Sequence, residues 1–142
     1  KYYDRYFKDR QVVLDLYRKY DSVFKNLRAE ADTLFAELTA LGQSIETSST
    51  QYNSGVASLS ADIAEFNGRA ERGDFTSISQ FNQERAALMA RSNQLEADRE
   101  SVNAEIAVYN SKYAQYQELS VKIESLNKSI DSIGDLEPAP SL

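Results

Sequence analysis

Apolar side chains recur every seven residues through almost the whole chain. Stepping by seven from Phe81 meets Phe81, Leu88, Leu95, Val102, Tyr109, Tyr116, Ile123 and Ile130, all apolar or aromatic. The same step through the first half meets Tyr3, Arg10, Tyr17, Phe24, Ala31, Leu38, Ile45, Tyr52, Leu59 and Phe66, with Arg10 the one charged member. A companion row runs Tyr6, Val13, Tyr20, Leu27, Leu34 and Leu41. Beyond Gly42 that row moves one place, to Val56 and Ile63, which reads as a local change of phase. Seven-residue repeats sustained this long predict coiled-coil packing of long helices, so the fold class is all-α.

The breaks agree. Both prolines, Pro138 and Pro140, lie at the far end, leaving the rest of the chain permissive for helix. The densest turn signal is Phe66-Asn-Gly-Arg-Ala-Glu-Arg-Gly-Asp-Phe75, followed by Ser77 and Gln80 at capping-box spacing. The spacing predicts helix one over about 2–70, a turn over 71–76 and helix two over about 77–133. Residues 134–142, which open on Gly134 and carry both prolines, read as a helix stop and linker tail.

Folding back at Gly73-Asp74 pairs residues whose numbers sum to 147. Phe66 then meets Phe81, Leu59 meets Leu88, Tyr52 meets Leu95, Ile45 meets Val102, and Leu38 meets Tyr109. Ala31 falls opposite Tyr116, Phe24 opposite Ile123 and Tyr17 opposite Ile130, while Asp62 comes level with Arg85. Antiparallel layers are offset from so simple a sum, and the register holds only to within about a turn. The expected architecture is a long antiparallel two-helix coiled-coil hairpin, with a second helix about 85 Å long at the helical rise. The alternative is a compact three- or four-helix bundle in which helix one breaks near 42–55, where the Ser/Thr-rich stretch Ser44–Gly55 is a weak helix former. Against a break, Ile45, Tyr52, Val56 and Leu59 keep helical spacing through it.

Composition narrows the chemistry. The 142 residues hold no Cys, His or Trp. They offer no zinc finger, no disulfide framework, no Ser-His-Asp or Cys-His pair and no Glu-x-x-His di-metal motif. No EF-hand ladder or glycine-rich phosphate loop occurs either. We therefore expect no catalytic residue, no metal ligand and no cofactor in this segment. Glu96, Asp98, Glu100 and Glu105, with Arg91 and Arg99 nearby, read as a solvated helix face. Asn103 and Asn110 flank the seam, where polar side chains fix register. The formal charge of −6 makes sequence-independent nucleic-acid binding a poor fit.

Charge is also uneven. Residues 1–28 hold eight Lys/Arg and four Asp, a net of +4, which leaves −10 on the remainder. The basic end is aromatic as well, with Tyr2, Tyr3, Tyr6 and Phe7 among Lys1, Arg5, Lys8 and Arg10. In the expected register, residues before about Val13 overhang the hairpin. This segment reads either as a helix end that extends the seam or as a partner contact close to a membrane surface, with Asp4 and Asp9 counting against the membrane. Tyr109, Tyr113 and Tyr116 share one face, as core or as a sticky stripe for a further helix. No run approaches the length of a bilayer span, and no signal-peptide pattern opens the sequence. The first residue is Lys, so an excised or processed segment is expected.

The turn stretch Phe66–Phe75, Phe81-Asn-Gln-Glu-Arg-Ala-Ala-Leu88, Val108-Tyr-Asn110 and Leu126-Asn127 together resemble a bacterial coiled-coil region found upstream of matrixin-like zinc metalloprotease domains. The resemblance covers roughly residues 60–142. That family's catalytic helix carries His-Glu-x-x-His, and this chain has no His, so no catalytic residue transfers. The resemblance implies a non-catalytic stalk of a larger envelope or secreted protein, with a metalloprotease domain downstream. The function expected is a coiled-coil spacer, oligomerisation or docking module, working through a protein partner or self-association. The alternative is a helical-bundle, sensor-like domain that binds a ligand or partner.

Overall fold

The computed structural model describes residues 1–134, with side chains through Ser129. Two helices pack antiparallel as a hairpin: α1, Tyr2–Arg72, and α2, Ile78–Gly134. There is no strand among the described residues. Helix α1 runs unbroken through Ser44–Gly55, so the three- or four-helix alternative does not hold. Heptad continuity outweighs the weak propensity of serine and threonine, because packing along one face supplies most helical stability. The expected tail, 135–142, lies outside the described residues.

The turn is built as its sequence spells. Gly73 adopts φ +69°, a conformation that costs little only without a Cβ. Its amide donates to the Ala70 carbonyl at 3.2 Å and the Asp74 amide to the Arg69 carbonyl at 2.9 Å, the pair of bonds that closes a Schellman motif. On the far side Ser77 caps α2: the Gln80 amide donates to Ser77 Oγ at 3.1 Å. Gln80 Oε1 reaches back one residue further than expected, accepting from the Thr76 amide at 2.7 Å and the Thr76 hydroxyl at 2.6 Å. Phe66, Phe75 and Phe81 close the end as three mutually touching rings, with centroids 5.1–5.2 Å apart.

The chain divides into two compact units, Lys1–Leu38 with Ser111–Leu142 and Thr39–Asn110. In the Thr39–Asn110 unit the core is one apolar row from each helix, joined at its edge by half-buried Leu41 of the second row. Leu59 is buried, and Ile45, Tyr52 and Phe66 of α1 and Phe81, Leu88, Leu95, Val102 and Tyr109 of α2 are half-buried. The rest of the second row is Ser48, Gly55, Asp62 and Arg69 on α1 and Glu84, Arg91, Asp98 and Glu105 on α2, all half-buried. In the other unit both rows are apolar apart from half-buried Lys112. Phe24, Ala31 and Leu38 sit beside Tyr20, Leu27 and Leu34, while Tyr116 and Ile123 sit beside Leu119 and Leu126. Ala31, Leu38 and Leu119 are buried there.

Candidate functional site

Two surfaces emerge from this packing: the seam itself, and the face of α1 that continues it. Along the seam the register differs from the expected one by three residues. A Cβ at Gly55 would lie 2.7 Å from Leu95 Cδ2 and one at Gly42 would lie 3.8 Å from Tyr109 Cε2. Across the helices Arg91 Nη1 pairs with Asp62 Oδ2 at 2.5 Å, Arg69 pairs with Glu84, and Ser44 Oγ donates to Glu105 Oε2 at 3.1 Å. In the other unit Lys112 Nζ donates to Glu37 Oε2 at 2.6 Å, and the Phe35 and Tyr116 rings lie 6.2 Å apart. These pairs centre on numbers summing to about 150, not 147. The physical reason is the packing of antiparallel helices: first-row Leu95 seats against second-row Gly55, three positions from its expected mate Tyr52, while the charged second-row side chains reach one another across the seam.

Several expectations are corrected by that offset. Asp62 faces Arg91, and Arg85 is exposed. Ala31 is buried and shares the lining of one open groove with half-buried Tyr116, as expected. The phase change to Val56 and Ile63 does not occur: each is 38% exposed, and the second row continues through Gly55 and Asp62. Glycine stands at 55 because Leu95 occupies the space of its missing side chain, and Asp62 is held at the seam by its arginine. Asp98 and Glu105 are half-buried seam residues, not part of a solvated face; Glu96 with Arg99, at 3.6 Å, is the surface pair. Tyr17 is 54% exposed. At a sum of 150 its facing level is residue 133, beyond the last described side chain. Ile130 likewise lies outside the described side chains. Tyr109 and Tyr116 are half-buried, whereas Tyr113 is 46% exposed.

The second surface is the first five turns of α1. Every residue from Lys1 to Lys19 is exposed, and this stretch holds Tyr2, Tyr3, Tyr6 and Phe7 at 54–73% exposure. Edge-on ring pairs, Tyr2–Tyr3 and Tyr6–Phe7, join neighbours along the helix. Contiguous apolar faces of this breadth are uncommon on the surface of monomeric soluble proteins. Within this stretch Gln11 Nε2 donates to Asp15 Oδ1 at 2.9 Å, one turn along the helix.

An open groove of 540 Å³ also lies between the helices of the first unit, floored by Leu34 and Leu119 and walled by Glu30, Glu118 and Lys122. Among the described residues no group of acidic side chains is arranged to hold a metal ion, and no helix is long and apolar enough to cross a membrane. No protein family, no curated protein and no solved structure matches the chain.

Proposed function

We propose that this chain is a non-catalytic helical-hairpin module that spaces and docks, with the exposed aromatic face of α1 as its contact surface. The observation that carries the reading is the continuation of the seam rows toward the start of α1: Tyr3, Tyr6 and Val13 keep the spacing of Tyr20 and Phe24 but are exposed. Burying such rings against a partner is favourable at about 25 cal/mol per Å² of apolar area. The likeness to coiled-coil regions upstream of matrixin-like domains adds an envelope or secreted setting and a downstream metalloprotease to the proposal. The sensor-like reading has one observation in its favour, the groove above Leu34 and Leu119.

Two variants of the protein that carries this segment test the proposal. Serine at Tyr2, Tyr3, Tyr6 and Phe7 should leave the helical signal intact and abolish its biological activity if the face docks. Leu59→Asp should unfold the Thr39–Asn110 unit and abolish activity whether the module spaces or docks. Full activity of the serine variant withdraws the docking role. Full activity of an unfolded Leu59→Asp variant overturns the structural role altogether.

A further inference from the structure

We propose that residues 2–16 of α1 pair antiparallel with the same residues of a second copy of this chain, carrying the seam rows across a twofold axis. The inference rests on the docking reading and names its partner. The first argument is continuity. In the frame of the hairpin, Tyr3, Arg10 and Tyr17 extend the first row, and Tyr6 and Val13 extend the second. The flanks are apolar too, Tyr2 and Leu16 on one side and Phe7 and Leu14 on the other, each at least 40% exposed. A face that continues an existing coiled-coil interface fits another helix better than a lipid surface.

Arg10 selects the orientation. In a parallel, in-register pair the two Arg10 side chains would meet at the centre of the interface, like charge against like. In an antiparallel pair whose numbers sum to 16, each Arg10 lies opposite Tyr6 and beside Tyr3 of the second copy. A guanidinium over an aromatic face is an attractive contact, and this chain makes it twice: Arg69 lies 4.5 Å from the Phe75 centroid and Arg28 5.8 Å from that of Phe24.

Charge permits the pairing. Residues 1–16 carry four Lys/Arg and three Asp, a net of +1, so two copies meet with little repulsion and an anionic membrane gains little attraction. The helix pair would bury on the order of 1,000 Å², the lower edge of specific interfaces, so a reversible, concentration-dependent dimer is expected.

Sedimentation velocity over about 5–300 µM, with circular dichroism as the folding control, tests the proposal. The wild type should shift from monomer to dimer mass, and Tyr6→Glu should stay monomeric across the range with unchanged helicity. Phe7 lies one residue from the twofold centre, and the chain has no other thiol, so Phe7→Cys should form a disulfide-linked dimer in air while outward-facing Gln11→Cys should not. A monomer at every concentration, a dimer that Tyr6→Glu leaves intact, or a monomer captured by phosphatidylserine vesicles would each overturn the second copy as occupant. None of these results bears on whether the serine variant loses activity, so the docking reading stands or falls separately.

Discussion

Replacing Gly55 with leucine drives a side chain into space that Leu95 already fills, since even a Cβ there would lie 2.7 Å from Leu95 Cδ2. The penalty for overpacking a well-filled contact is about 1–3 kcal/mol. Leucine regains about 1 kcal/mol over glycine in helix propensity, so Gly55→Leu should cost up to about 2 kcal/mol. Leu95→Ala alone leaves a gap beside a glycine, and because Leu95 is half-buried its loss falls at the low end of such truncations, about 2 kcal/mol. Combined, the two changes move the bulky side chain from one helix to the other, and the leucine introduced on α1 enters the space that truncation on α2 vacates. The double variant should therefore be more stable than the sum of the single losses predicts, by at least about 1 kcal/mol, the size of coupling found for residues in contact. Urea unfolding followed by circular dichroism gives all four free energies. Additivity within about 0.5 kcal/mol would refute the contact and with it the register.

Four further outcomes follow from the same packing. Gly73→Ala should lower stability by about 1 kcal/mol, because its φ of +69° puts any Cβ against the following carbonyl; equal melting temperatures would contradict the Schellman turn. The Asp62–Arg91 pair, with side chains 46% and 42% exposed, should show a double-mutant coupling of at most about 1 kcal/mol. That coupling should vanish in about 1 M salt, and persistence there would mean the pair is held by something other than charge. Val56→Ser should stay within about 0.5 kcal/mol of wild type, as expected of a position outside the seam, whereas buried Leu59→Ala should cost about 2–4 kcal/mol; thermal melts that reverse this order would return Val56 to the interface. Ser77→Ala should cost about 1 kcal/mol through the lost cap, and an unchanged melt would mean the hydroxyl bond to Gln80 is not made in solution.

The first seam row, the two long helices and the turn were legible in the sequence because each has an apolar or conformational signature. Period-seven hydrophobicity marks the row from Phe24 to Phe66 and its mate from Phe81 to Ile123; Gly73 and the Ser77–Gln80 spacing mark the turn. The second row in the Thr39–Asn110 unit carries no such mark. Gly55, Asp62 and Arg69 are polar or side-chainless, and a search for apolar spacing slides one place onto Val56 and Ile63. A signal was present in another form. Asp62 and Arg69 recur seven apart on α1, and Glu84 and Arg91 recur seven apart on α2, opposite in sign when the chain folds back. Reading charge with the same period as hydrophobicity locates the row. The three-residue offset in register, within the turn allowed for it, has a separate origin: matching a large row to a large row looks optimal on paper, while Leu95 of the first row seats against Gly55 of the second.

The most direct test of the hairpin is a nuclear Overhauser measurement between the Gly55 α-protons and the Leu95 methyl groups. Gly55 resonances are distinctive, and the contact joins residues far apart in the chain across the middle of the Thr39–Asn110 unit. An antiparallel pair summing to 150 predicts a strong cross-peak, because Leu95 Cδ2 occupies the space of the missing side chain. Its absence, with the Leu95 methyls contacting Tyr52 alone, would contradict this seam.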